Sequence, residues 1–433
     1  MLNQSLENSF FEEKVNLMIE VSKKNINFTN IEIDDYWNLG SKTEHKMHKI
    51  HTYPAKFPAF ITQKALEYAS KEKLNVHKIA DIFCGCGTVA YEATRGNIDF
   101  WGCDINPVAA LIARVKSKKL DPQRLDDFYK SITARYYQNR DAFLIGEINS
   151  RIRYWFDDTQ IFDLCLLKAC IIESTHNEKD YEDFFICAFS NILKPTSKWL
   201  TKSIKPQKDP VKIPADVFNS FQEQFSFMQK ANQESEASNN CIVEIEIGNS
   251  LEIDKSESID LIVTSPPYVT SYEYADLHQL SLLWLGYADD YRDFRRDTIG
   301  SSFFSEERLS NKLNKVGQEV VAPFLNIDKL KAKAITKYFI DMQNIADVCY
   351  KMLTLNGAAL FVIGNTEYKG IHISNAEHLA LSLFESGFKK VYATKRKISG
   401  KILTPYRDEK GKFTSNSSGK KVYSEEFILI GRK

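Results

Sequence analysis

Short apolar runs alternate along this chain with longer stretches of helical spacing. Residues 79–83 and 100–105 are apolar runs of strand length, and 258–264 and 358–364 are apolar enough for central strands covered on both faces. Residues 242–247 alternate valine and isoleucine with glutamate, the pattern of a half-buried or edge strand. Between such runs, Met342, Ile345, Cys349 and Met352 form a helical stripe before Gly357, and Leu379, Leu383 and Phe384 form another before Gly387. Strand, helix, strand in succession predicts an α/β fold with a doubly wound, mostly parallel sheet. Residues 390–398 and 425–431 are predicted to add an antiparallel C-terminal hairpin across a long loop bearing glycine and serine.

The rhythm breaks at residues 116–240. This stretch is helical in pattern, with Tyr154, Trp155, Phe156, Leu164, Leu167 and 184–189 as core candidates, then a basic run punctuated by proline at 194–214. A stretch of this length without its own structure is uncommon, so an inserted helical subdomain is expected. Three regions follow: 1–115 with the first half of the sheet, 116–240 as the insertion, and 241–433 with the second half and a smaller insertion at 286–333. No internal repeat is visible.

Composition narrows the class. Of 433 residues, 43% are hydrophobic, ordinary for a globular protein with a sizeable core. No apolar run reaches the roughly 18 residues of a membrane span, and the N-terminus lacks the pattern of a signal peptide. The eight cysteines are scattered without paired Cys-x-x-Cys motifs, so no metal site is expected. Cys165, Cys170 and Cys187 lie among apolar residues, which suits a reducing cytoplasm.

Charge is balanced, 57 basic against 57 acidic residues, so only its distribution informs. One basic cluster runs through Lys389, Lys390, Lys395, Arg396, Lys397, Lys401, Arg407, Lys410, Lys412, Lys420 and Lys421. Another comprises Lys194, Lys198, Lys202, Lys205, Lys208 and Lys212, and the smaller insertion adds Arg292, Arg295, Arg296 and Arg308. Each alone reads equally well as a solvated face; together, in a balanced protein, they point to phosphate contacts.

Two constellations carry chemistry. The first is Asp81-Ile82-Phe83-Cys84-Gly85-Cys86-Gly87-Thr88, at the end of one predicted strand, with Asp104, Ile105, Asn106 and Pro107 ending the next. Glycines allow a tight turn and close approach of a ligand, and an acid at the following strand end can take both hydroxyls of a ribose. The second is Thr264-Ser265-Pro266-Pro267-Tyr268. Two prolines fix φ and donate no hydrogen bond, so they hold a rigid turn whose carbonyls point outward. A Pro-Pro turn that merely ends a strand is the plainer alternative.

These residues resemble the DNA amino-methyltransferase family, whose catalytic motif is Asp, Asn or Ser followed by Pro-Pro and Tyr or Phe. Ser265-Pro266-Pro267-Tyr268 matches it, Asp81 to Thr88 is similar to the cofactor loop, and Asp104 to the ribose acid. Gly248-Asn249-Ser250 resembles the segment beside the cofactor's adenine, with Asn249 where an aspartate is common. Residues 51–58, with Lys56 and Phe57, are similar to the segment closing over the cofactor's methionine part. The resemblance covers about 45–115 and 242–433 and leaves the helical insertion out.

It implies a Rossmann-like sheet of seven strands, S-adenosylmethionine as cofactor and double-stranded DNA as partner, with a restriction nuclease as a further candidate. Ser265 and Pro266 would accept hydrogen bonds from a base amino group, and Tyr268 would stack on the flipped base. Lys56, Phe57, Asp81, Phe83, Gly85, Gly87, Thr88, Asp104, Ile105, Pro107 and Asn249 would meet the cofactor; Lys395, Arg396, Lys397, Arg295 and Arg296 would meet DNA. His48 and His51 stand near, though a structural histidine fits equally. Serine at the head of the motif favours cytosine N4 in this family over adenine N6. An RNA amino-methyltransferase and a non-catalytic nucleic-acid-binding module remain open; either shares the fold.

Overall fold

The computed structural model describes residues 18–38, 43–54, 56–269, 274–296, 298–299, 313–398, 406–407, 413–414, 420–421 and 425–433. Its centre is one sheet of eight strands. In chain order these are β1 (Ile19–Glu20), β2 (Lys78–Asp81), β3 (Asp99–Asp104), β4 (Val243–Ile247), β5 (Ile259–Thr264), β6 (Leu353–Ile363), β7 (Lys390–Lys397) and β8 (Glu425–Arg432). Across the sheet they run β1-β7-β8-β6-β5-β2-β3-β4. From β4 to β6 every neighbour is parallel, whereas β8 runs antiparallel to both β6 and β7. The doubly wound sheet and its terminal hairpin are therefore as the sequence predicts. The eighth strand, β1, is an addition: two residues paired antiparallel with β7, too short for any periodic signal.

Alternation along the strands places side chains in two layers. Ile79, Phe100, Leu261, Val263, Leu360 and Ile428 face helices α1 (Ala59–Lys71) and α2 (Thr88–Arg95). Ala80, Trp101, Ile262, Phe361 and Leu429 face the other side, which carries α10 (Lys329–Met352) and α11 (Asn375–Ser386). The two predicted stripes lie on these last helices. β4, mostly exposed, is the edge strand its alternation implies.

Helix α3 (Pro107–Lys116) follows β3, and five further helices fill the stretch before β4: α4 (Pro122–Asn139), α5 (Ser150–Trp155), α6 (Asp158–Ser174), α7 (Lys179–Ile192) and α8 (Val217–Gln233). Their core is continuous with Val108, Leu111 and Ile112 of α3 and with Leu280, Leu282 and Trp284 of α9 (Gln279–Trp284), a helix after the Pro-Pro turn. Among the described residues no helix is long and apolar enough to cross a membrane. All eight cysteines are free.

Candidate active site

Ligands of a doubly wound sheet meet the carboxyl ends of its parallel strands, and both constellations lie there. β2 ends at Asp81, whose Oδ1 accepts a 3.0 Å bond from the Phe83 amide. Gly85 and Gly87 adopt φ of +50° and +73°. A Cβ at Gly87 would stand 2.5 Å from the Ala113 Cα on α3, so a glycine there lets α2 approach α3. At Gly85 the nearest atoms to such a Cβ, on Tyr53, are 3.7 Å away, so the left-handed backbone is the constraint.

Asp104, ending β3, holds this turn. Its Oδ2 accepts from the Gly85 amide at 2.7 Å and its Oδ1 from the Asn106 amide at 2.8 Å. Burial raises the Asp104 carboxyl to about 6 against those two hydrogen bonds. Burial likewise raises Asp81 to about 7, with bonds from Thr264 and Phe83 opposing and the Asp104 charge adding to the rise.

Each Asp104 oxygen retains lone pairs for a further donor. Nearby, Thr88 Oγ1 and Asn106 Nδ2 are buried without a hydrogen-bond partner among the described residues. An acid with spare acceptor capacity, a glycine turn and two unsatisfied polar groups fit a hydroxyl-bearing nucleoside cofactor. Ile105 and Phe83 are half-buried beside Asp104 and the turn, and Pro107 is the first residue of α3. Asn249 caps the short turn after β4 by accepting from the Leu251 amide at 3.1 Å.

The catalytic candidate follows β5. Thr264 Oγ1 donates to Asp81 Oδ1 at 2.6 Å, tying the two turns together. Ser265 Oγ donates to the Val362 carbonyl of β6 at 3.0 Å. A carbonyl only accepts, so the hydroxyl proton is spent on it and the Ser265 lone pairs remain acceptors. Pro266 is buried and Pro267 half-buried. The Tyr268 ring lies against Gly364, where a Cβ would come within 3.2 Å of Cε2. Its hydroxyl donates to Glu426 Oε1 at 3.0 Å, and burial together with the Glu426 charge raises it well above its ordinary range.

The segment before α1 folds over the glycine turn. Tyr53 stacks on His278 at 4.9 Å between centroids and adjoins Gly85. Lys56 donates to Glu44 at 2.6 Å and to the His48 carbonyl at 3.2 Å, and Phe57 packs partly into the core beneath α1. His48 and His51 take structural places. His48 meets Glu92 at 2.8 Å, and His51, lowered to about 3 by burial, meets Ser190 of α7 at 3.0 Å. Tyr53 and Glu426 are not singled out by the sequence. Tyr53 is unremarkable inside 51–58, and Glu426 carries no local signal.

The basic clusters need correction. Arg396 is 3% exposed and engages Glu426 Oε2 through Nη2 at 2.8 Å and Nε at 3.1 Å, so it cannot meet phosphate. Lys395 is largely covered, 3.2 Å from Glu425; of these three only Lys397 is exposed. Lys389 and Lys390 lie at the far end of β7, and Lys401, Lys410 and Lys412 lie outside the described residues, as does Arg308. Arg407, Lys420 and Lys421 fall in short strands whose side chains are likewise outside the description.

Arg295 is held by Asp276 at 2.6 Å, whereas Arg296 is exposed. In the second cluster, Lys194, Lys198 and Lys212 turn inward. Lys194 caps the Ser203 carbonyl, Lys198 that of Lys212, and Lys212 those of Lys194 and Trp199. Lys202, Lys205 and Lys208 remain exposed, Lys208 standing 4.4 Å over the ring of Tyr154.

A family model described as DNA methylase, of the N6/N4 type, matches residues 7–114. Type II methyltransferase M.MvaI of Kocuria varians is 23% identical over 426 residues, spanning 90% of this chain and 92% of its own. Type II methyltransferase M.AvaI of Nostoc sp. is 24% identical over 429 residues, spanning 86% and 83%. Type II methyltransferase M.MjaII of Methanocaldococcus jannaschii is 31% identical over 152 residues, 34% of this chain and 28% of its own.

Proposed function

We propose that this chain, similar to N4/N6 DNA methylases, is an S-adenosylmethionine-dependent amino-methyltransferase that methylates N4 of cytosine in double-stranded DNA. The observation that carries this reading is the Ser265 hydroxyl, whose proton is committed to Val362 and whose lone pairs stay free to accept beside Pro266. An exocyclic amino nitrogen is a poor nucleophile because its lone pair is delocalised into the ring. Acceptors at its N–H groups favour a pyramidal nitrogen and free that lone pair. Ser265 Oγ and the Pro266 carbonyl would take those bonds.

The cofactor supplies the methyl group on a positively charged sulfur. Asp104, Gly85, Thr88 and Asn106 would hold its nucleoside part, and Asp81, Phe83 and the 51–58 segment would border the remainder. What these residues contribute is placement, since bringing nitrogen and methyl into line lowers the barrier without a strong base. The target base must first leave the duplex at a cost of a few kcal/mol, and stacking on Tyr268 returns about 1–3 kcal/mol of it.

The helical block at 116–240, with 286–333, would read the target. Packing already makes these helices a brace for the sheet; Lys202, Lys205, Lys208 and Arg296 add exposed charge toward a DNA backbone. A cytoplasmic setting and a cognate restriction nuclease belong to the same reading.

Transfer of labelled methyl from S-adenosylmethionine to duplex DNA, with the product nucleoside identified by mass spectrometry, tests it. N4-methylcytosine is expected. N6-methyladenine would reassign the target base, and label appearing only in RNA would overturn DNA as substrate.

A further inference from the structure

The Tyr268 hydroxyl has a dedicated partner that the catalytic motif itself does not contain. It donates to Glu426 Oε1 at 3.0 Å, while Glu426 Oε2 takes the two bonds from Arg396. Glu426 and Arg396 are directly opposed on β8 and β7. Because β8 runs against its neighbours, its first residues stand at the carboxyl edge of the sheet, where Tyr268 lies. The Arg396 guanidinium also stands 5.5 Å from the ring of Phe60, on the first turn of α1. A line of contacts thus joins Tyr268 to the helix that follows the 51–58 segment.

A tyrosine whose only duty is to present a π face needs no partner for its hydroxyl; a phenylalanine would serve. Here the hydroxyl is anchored at its tip, while Gly364 lies against the ring near its Cε2 edge. Anchoring at both places restrains rotation about χ1 and χ2 before any base arrives. Glu426 is in turn fixed by a buried, two-point guanidinium, so its carboxylate cannot swing away with the ring.

We infer that Glu426, held by Arg396, is a positioning residue that pre-sets the Tyr268 ring as the platform for the flipped base. This rests on Tyr268 meeting the base, as proposed above. It assigns no proton transfer to Glu426; the carboxylate works through ring orientation alone. Ordering one such side chain in advance spares an entropy cost that would otherwise slow flipping and transfer about 3- to 10-fold.

The test is a double-mutant cycle of Y268F, E426Q and Y268F/E426Q. Cofactor affinity, the single-turnover methylation rate and 2-aminopurine fluorescence of flipped DNA are read for each. Y268F should lower rate and flipping about 3- to 10-fold with unchanged cofactor affinity. E426Q should lower both in the Tyr268 background and add nothing once the hydroxyl is gone. Any loss of stability from an unpaired Arg396 appears equally in both backgrounds and is read separately by thermal melting.

If E426Q does not fold, Y268F decides, since it leaves Glu426 and Arg396 paired. Wild-type rate and flipping in Y268F, or the same loss from E426Q in both backgrounds, overturns the inference while leaving base methylation intact. No methyl transfer by the wild-type protein would overturn the parent reading, and this one with it.

Discussion

Thr264 Oγ1 donates a 2.6 Å hydrogen bond to Asp81 Oδ1, so the last residue of one strand fixes the last residue of its neighbour. The glycine turn departs from Asp81 and the Pro-Pro turn from Thr264. The two halves of the site are therefore joined by a side chain as well as by the strand ladder. Thr264→Val keeps the shape and deletes the donor. Leaving a buried carboxyl short of one partner should cost about 1–3 kcal/mol of stability. Cofactor affinity and turnover should fall together; urea melting and titration calorimetry that match wild type would dissolve the link.

Cofactor affinity should depend on pH through Asp81 and Asp104. Burial raises these carboxyls to about 7 and about 6, so both are ionised above that window and take up protons as pH falls through it. Protonation removes negative charge from the site proposed to hold the positively charged cofactor, so binding should weaken as pH falls. Asp104→Asn should bind weakly at every pH, losing about 1.5–3 kcal/mol per charged hydrogen bond, with a flatter profile. Calorimetry across the range checks both; a wild-type profile in Asp104→Asn would remove that residue from the site.

Tyr268→Ala should impair turnover far more than cofactor affinity if, as proposed, the ring stacks on the flipped base. Loss of stacking should cost about 1–3 kcal/mol of base capture. Equal 2-aminopurine signals in the variant and wild type would refute the stacking role.

Much of this site is legible in the chain. The glycine turn, Asp104 and the Ser-Pro-Pro-Tyr run are local, and local sequence sets local backbone geometry. Burial and cross-strand register are not legible. Arg396 and Lys397 are adjacent and both basic, yet alternation along β7 buries one against Glu426 and exposes the other. Lys212 and Lys208 read alike until the fold turns the first onto the Lys194 and Trp199 carbonyls. The pairing of Arg396 with Glu426 depends on a register set across residues 398–424, which no periodicity in either strand specifies.

The exposed lysines should account for part of the salt dependence of DNA binding. Replacing Lys202, Lys205 and Lys208 with alanine should lower the slope of log affinity against log salt by about 0.9 for each phosphate no longer neutralised. Arg396→Ala should instead lower the melting temperature, since it leaves the half-buried Glu426 without its charged partner. An unchanged slope in the triple variant would leave those lysines as solvated surface.

The helical block can be exchanged for that of a relative, provided the residues packing on α3 and α9 travel with it. A changed methylated sequence is the expected outcome; the original specificity with reduced stability would assign the block to bracing alone.

The reversed strand has a consequence for how the protein is made. β8 lies between β6 and β7, yet it follows both in the chain. Until it docks, the sheet has a gap beyond β6, bordered by the unpaired backbone of that strand and by apolar side chains such as Phe361, and no strand links β7 to β6. Such a gap accepts any extended apolar segment, including the same strand from another copy. Shortening or weakening β8 should therefore favour exchange of that strand between copies, with β6 as the acceptor edge.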